Sequence, residues 1–212
     1  MSDADRRRAV LARVRKALAR RDPVDHPGPF GGWRPGMPPT RATPGSADPA
    51  AVARAFAERF VAAGGQVERT ADARAGRLFL TGLLREIGGG AVATGAGVPE
   101  NMVPDAERAG AARAALGVSM ARGAVAETGS LILDARDGRA VQLLPPVHVV
   151  LVPSQSVFAT LADALAALGA DLPSAVGLHS GPSKSADIGK ILVTGVHGPG
   201  RVVALFVDVP AG

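Results

Sequence analysis

The stretch Val147-His148-Val149-Val150-Leu151-Val152, entered from Pro145-Pro146 and closed by Pro153, decides the fold. It is continuously apolar except at His148 and rich in β-branched side chains, the signature of a strand. A strand with one wet face alternates apolar and polar residues. An unbroken apolar run is buried on both faces, and such strands belong to parallel sheets covered on both sides. His148, at the head of the run, reads as a structural residue of a buried strand.

Working outward, the chain keeps an α/β rhythm. Downstream, residues 155–168 read as a helix with Val157, Phe158, Leu161, Leu165 and Leu168 apolar, and residues 191–194 and 202–209 read as closing strands. Upstream, residues 131–134 form a strand before a turn at Asp137-Gly138, and residues 118–120 form another. Asp105 is expected to cap a helix running to about Leu116. Residues 91–94 read as a short strand, and residues 78–81 as an apolar strand followed by a short helix to Gly88-Gly89-Gly90. Residues 66–69 give one more short strand. Ahead of it, Asp48 as N-cap and Pro49 at the first helical position open a helix with Val52, Phe56, Phe60 and Val61 on one face. Five or more strands alternating with helices imply an α/β fold with an open, three-layer, mostly parallel sheet. Ligands of such sheets sit at the carboxyl ends of the strands, and the glycine-rich loops are expected at that rim.

The 212 residues divide into three stretches by composition. Residues 1–22 form a basic amphipathic helix with Val10, Leu11, Val14 and Leu18 as a narrow apolar stripe. Eight Arg and Lys against two Asp give the first 21 residues a net +6, so the rest of the chain sums to −1 of the total +5. Residues 23–49 hold eight prolines with glycines between, which no regular element survives, and read as a linker or flap that Phe30, Trp33 and Met37 could pin to a surface. Residues 50–212 are the α/β body. Aromatics are only 3% and Tyr is absent, so stacking platforms for bases are scarce and nucleic acid is not the expected partner. No apolar run approaches the roughly 18 residues of a membrane helix, and no secretory leader is evident, so a cytoplasmic protein is expected. With no cysteine, these residues offer no disulfide, no thiolate-held iron–sulfur cluster and no cysteine nucleophile. No spacing of His, Asp and Glu suggests a metal site.

Four loops could carry chemistry. Thr94-Gly95-Ala96-Gly97 follows a strand, and its glycines permit close backbone approach to a ligand or simply make a turn. Ala126-Glu127-Thr128-Gly129-Ser130 places a carboxylate beside apolar neighbours. That suits a general base, a nucleophile or a ligand anchor, or equally a turn whose N–H groups Glu127 satisfies. In Ser180-Gly181-Pro182-Ser183-Lys184-Ser185-Ala186-Asp187, Ser183 is a candidate cap for a short helix. Free N–H groups, hydroxyls and the Lys184 ammonium could meet an anion there, unless Asp187 neutralises Lys184. His197, in Gly195-Val196-His197-Gly198-Pro199-Gly200, could carry a proton or be a plain turn histidine. The candidate site is therefore Glu127 and His197 as catalytic groups, with Thr94, Gly95, Gly97, Thr128, Gly129, Ser130, Gly181, Ser183, Lys184, Ser185 and Asp187 binding ligand.

These loops, together with Leu144-Pro145-Pro146-Val147-His148, occur in an order that resembles the lactate-utilisation protein C family with its LUD domain. Ser130 and Ser185 stand where threonine is common in that family, and Lys184 where arginine is common. The resemblance implies a fold similar to the ribose-5-phosphate isomerase, glucosamine-phosphate deaminase and coenzyme A-transferase group. It implies participation in oxidising L-lactate to pyruvate with iron–sulfur partner proteins. Since this chain lacks cysteine, the clusters would reside on those partners and this chain would bind no cofactor of its own. Two alternatives stay open: a stand-alone enzyme acting on a phosphorylated sugar or coenzyme A thioester, and a non-catalytic regulatory or assembly protein.

Overall fold

The computed structural model of the chain describes residues 3–19, 48–169, 173–186 and 192–207. The chain divides into two units, Met1–Thr40 and Arg41–Gly212. The first contains helix α1 (Asp3–Leu18), with an ion pair of 2.6 Å between Arg8 and Asp5 one turn apart. Of the expected linker, only Asp48 and Pro49 fall within the described residues; Phe30, Trp33 and Met37 lie outside them.

In the second unit the order is α2 (Pro49–Ala62), β1 (Gln66–Thr70), α3 (Ala73–Glu86), β2 (Val92–Thr94), β3 (Leu116–Met120), β4 (Gly123–Val125) and β5 (Ser130–Asp134). Then follow α4 (Arg139–Leu143), β6 (Val147–Pro153), β7 (Val157–Phe158), α5 (Leu161–Leu168), β8 (Val176–His179), β9 (Lys184–Ala186), β10 (Leu192–Thr194) and β11 (Arg201–Val207). Five strands form a wholly parallel sheet in the order β1-β11-β6-β3-β2. The run that decided the fold, β6, is its central strand, with Val149, Val150, Leu151 and Val152 completely buried.

Each face of β6 meets a different layer. Val149 and Leu151 pack with Leu80, Leu83 and Leu84 of α3. Val150 and Val152 pack with Phe56 and Phe60 of α2 and with Leu131 and Leu133 of β5. That second layer is partly a sheet of its own, β7-β4-β5-β8, antiparallel except for the β4–β7 pair. Its outer face is covered by Ala164 and Leu168 of α5. β9 and β10 make a separate antiparallel ribbon. The α/β class and the mostly parallel sheet hold. What the strand pattern did not reveal is that residues 130–134 belong to a second sheet.

Four local expectations are corrected. Residues 78–81 are not a strand but the middle of α3, where Leu80, Leu83 and Leu84 are buried while Leu78 is 64% exposed. A four-residue apolar window hides a helical period that becomes visible only over two turns, and Asp72 caps the helix through Ala75 N at 2.7 Å. Residues 105–116 do not form a helix. Val92 N donates to Glu107 O and Ala109 N to Val92 O, so the segment runs beside β2, and only a single 3-10 turn at Ala111–Arg113 remains. Alanine-rich helix propensity is weak enough for such pairing to override it. Residues 155–160 are not helical, because the carbonyls of Ser156 and Phe158 accept from Ala124 and Ala126 of the neighbouring strand and α5 begins only after Thr160. Finally, Ser183 caps no helix: its N–H donates to Pro199 O at 2.9 Å, and the residues after it pair as a ribbon with Leu192–Thr194.

Candidate functional site

The loops singled out by sequence divide between the two ends of the parallel strands. At the amino ends, the chain turns at Ala126–Gly129 against the last turn of α2, where Arg59 Nη1 donates to Ala126 O at 2.9 Å. Gly129 has φ +61°, and a Cβ there would lie 2.9 Å from Phe60 N, so both the turn and the contact require glycine. The next residue, Ser130, shares a 2.7 Å hydrogen bond with Ser180 Oγ. Gly181 then presses on the carbonyl of Ala63, to which the Lys184 ammonium also donates. Ala63 closes α2, so this cation sits at the negative end of the helix dipole. The loop after β10 joins the cluster through Gly195 N to Ser183 O and Gly200 N to Pro146 O.

Between these loops lies a cavity of about 270 Å³, whose polar lining is His179, Ser180, Ser183 and His197 with the backbone of Gly181 and Gly198. Burial lowers the pKa of His179, which favours its neutral imidazole over the protonated form. His148 is fully buried, and burial, reinforced by His179 nearby, pushes its pKa down to about 3. Its Nε2 shares a 2.7 Å hydrogen bond with Ser119 Oγ, while Nδ1 has no partner among the described residues. A neutral imidazole, an exposed one at His197 and two hydroxyls around one small space can hold a polar ligand and move a proton.

At the carboxyl ends of β2 and β3, Gly95 and Gly97 are organised by Asp137. This carboxylate accepts from Gly97 N at 2.6 Å and Met120 N at 2.8 Å. Its pKa is raised, because burial outweighs those two hydrogen bonds. A Cβ at Gly95 would stand 2.5 Å from the Asp137 carbonyl oxygen, which explains that glycine. Thr94 Oγ1 accepts from Arg108 at 3.1 Å. A second cavity, about 280 Å³, opens here beside Gly97, Met120, Arg122, Asp134, Arg136 and Asp137. Arg122 is 3.7 Å from Asp134.

The structure thus brings Ser183 and His197 to one cavity and links Ser130 and Gly181 to it, but it keeps Thr94, Gly95 and Gly97 elsewhere. The expectation of a single carboxyl rim is corrected in that respect: the loops bearing Ser183 and His197 precede β11 and lie at amino ends. Glu127 shares the Ser130 turn, yet its exposed carboxylate accepts from Leu161 N at 2.9 Å and caps α5. Thr128 is exposed, Ser185 lies on β9 opposite Val193, and Asp187 is outside the described residues. Sequence reasoning did not single out Asp137 or His179 as site residues. His179 directly precedes the Ser180 motif, a signal that was present; Asp137 looked like an ordinary turn residue before glycine. Among the described residues, no three His, Asp or Glu side chains gather closely enough to hold a metal ion.

Fold and site define an α/β protein with a parallel five-stranded core, a second sheet packed on it and small polar cavities at both edges. The LUD domain pattern matches residues 100–207, just over half of the chain, and the chain belongs to the LUD domain family. It is 39% identical over 101 residues to lactate utilization protein C 1 of Bacillus mycoides, a match covering 44% of this chain and 43% of that protein. It is 38% identical over 112 residues to lactate utilization protein C of an Exiguobacterium species, covering 49% of each. The matched stretch spans about half the length of these curated relatives. The fold is similar to the crystal structure of a DUF162 family protein from Deinococcus radiodurans, with TM-score 0.56 and 23% identity over 76% of this chain and 99% of that one. No helix among the described residues is long and apolar enough to cross a membrane.

Proposed function

We propose that this chain works in L-lactate utilisation, as a subunit that carries no iron–sulfur cluster itself. The observation that carries the reading is the LUD domain match together with relatives named for lactate utilisation. Oxidising L-lactate to pyruvate releases two electrons and two protons. This sequence has no thiolate to hold a cluster, so the electrons pass to iron–sulfur partner proteins. The chain's own contribution is the cavity between His179, Ser183 and His197, where hydroxyls and imidazoles bind a small polar ligand and accept a proton.

The test is genetic and then biochemical. A strain lacking the gene is expected to fail on L-lactate as sole carbon source while growing normally on pyruvate; normal growth on both would refute the reading. Co-purification of the chain with iron–sulfur proteins, and lactate oxidation that depends on adding the chain back, would support the division of labour.

A further inference from the structure

A third cavity, about 490 Å³, is formed where the first turns of α2 face the carboxyl ends of β1 and β11, and it contains none of the loops discussed above. Its walls are apolar: Ala53 and Ala57 from α2, Val67 from β1 and Phe206 from β11. Three polar groups interrupt them. Arg69 holds its guanidinium over the Phe206 ring, 5.4 Å from the centroid, and that guanidinium makes no ion pair or hydrogen bond to another described residue. Arg54 has one carboxylate nearby, Asp48 at 3.9 Å, the same side chain that already caps α2 through Ala50 N. Ser154, just past the end of β6, has its backbone fixed by a 3.1 Å bond from its N–H to Val207 O, yet its Oγ is buried with no partner among the described residues.

A buried hydroxyl without a partner is uncommon, because leaving it so forfeits a hydrogen bond it had in water. Ser154 lines a cavity where, among the described residues, two cations face one carboxylate. The carboxyl ends of parallel strands are also where sheets of this class take ligands. With its guanidinium over the Phe206 ring and no ion-pair or hydrogen-bond partner among the described residues, Arg69 keeps its N–H groups available to an oxyanion. An inorganic anion alone would have no use for four apolar walls.

We propose that this cavity binds an aliphatic monocarboxylate, its carboxylate held by Arg69 and Arg54, one oxygen bonded by Ser154 Oγ, and its chain lying on Phe206, Val67 and Ala53. The site is separate from the amino-end cavity, so its test does not depend on lactate utilisation. The full chain is titrated with hexanoate by calorimetry, with hexanol and inorganic phosphate as the other arms at matched ionic strength. Saturable hexanoate binding is expected, with hexanol and phosphate at least tenfold weaker. Arg69→Gln should weaken hexanoate at least tenfold, Arg54→Gln and Ser154→Ala a fewfold each, with thermal midpoints of the unliganded variants near that of the parent. Should Arg69→Gln not fold, Arg54→Glu reads the same cation requirement. Absence of saturable hexanoate binding, phosphate binding as tight as hexanoate, or cation variants that bind like the parent would overturn the proposal.

Discussion

The amino and carboxyl edges of the central sheet are assembled by different means. At the amino edge, segments distant in sequence (126–130, 180–184 and 195–200) interlock mostly through their backbones, with glycines in close contact and serines bonded to each other. At the carboxyl edge, single side chains do the organising. Asp137 ties the loop after β2 to the end of β3, and arginines line the cavities. The difference teaches why one edge announces itself in sequence and the other does not. Backbone contact demands runs of Gly, Ser and Pro, which read as motifs. A pocket made by Arg54, Arg69 and Ser154 gathers unremarkable residues from three places in the chain.

The largest effect expected from breaking this comparison concerns His148, buried beneath the amino edge. Its folded pKa of about 3 lies well below the ordinary histidine value, so the unfolded chain binds more protons in between. Stability should therefore fall as pH drops below about 6.5, by about 1.4 kcal/mol per pH unit, with the loss continuing toward about pH 3. Urea unfolding of the parent and of His148→Gln at pH 7 and pH 4.5 checks this. The variant should lose clearly less stability on acidification, the remainder including His179, whose pKa is also lowered. An unchanged pH slope would remove the attribution.

Glycine substitutions at the two edges come next. In Gly95→Val the new side chain meets Asp137, and overpacking of this kind costs about 1–3 kcal/mol. The matching change at the other edge, Gly129→Val, meets α2 at Arg59 and Phe60 and also forces an unfavourable φ, so it should cost more than Gly95→Val. Equal or reversed costs by chemical denaturation would contradict the view that the amino edge is the one held by backbone contact. Removing the organising side chain itself, Asp137→Ala, leaves Gly97 N and Met120 N without their acceptor, a loss of about 1–3 kcal/mol. Smallest is Glu127→Ala, which removes the bond to Leu161 N. A cap of this sort contributes on the order of 1 kcal/mol, and faster amide exchange confined to the first turn of α5 is its expected signature.

The central architecture was legible because β6 is apolar on both faces and can only be an interior strand. Helix α2 was legible from Asp48, Pro49 and the Phe56–Phe60 spacing, and the two phenylalanines indeed stack at 5.3 Å. Helix α3 was not, since its Asp72 cap and its buried Leu80, Leu83 and Leu84 had to be read over more than one turn. The segment 105–116 misled because alanine suits a helix but yields to pairing with β2. Of the site, Ser183 and His197 were singled out from separate Gly- and Ser-rich motifs, and that their loops bond to each other was not legible in the sequence. Glu127 was read as a catalytic carboxylate or one fixing its own turn, and nothing in the sequence showed that it would reach α5. The Lys184 ammonium likewise met the end of α2, a contact 121 positions away along the chain.

The most direct test of the account is complementation of a strain lacking this gene with the full chain carrying both Ser183→Ala and His197→Ala, scored by growth on L-lactate. The two side chains line the amino-edge cavity, and His197 is exposed, so the folded chain should persist at normal levels. The account predicts that growth falls to that of the strain without the gene. Growth equal to that restored by the unaltered chain, with the double variant present at the same level, would contradict it.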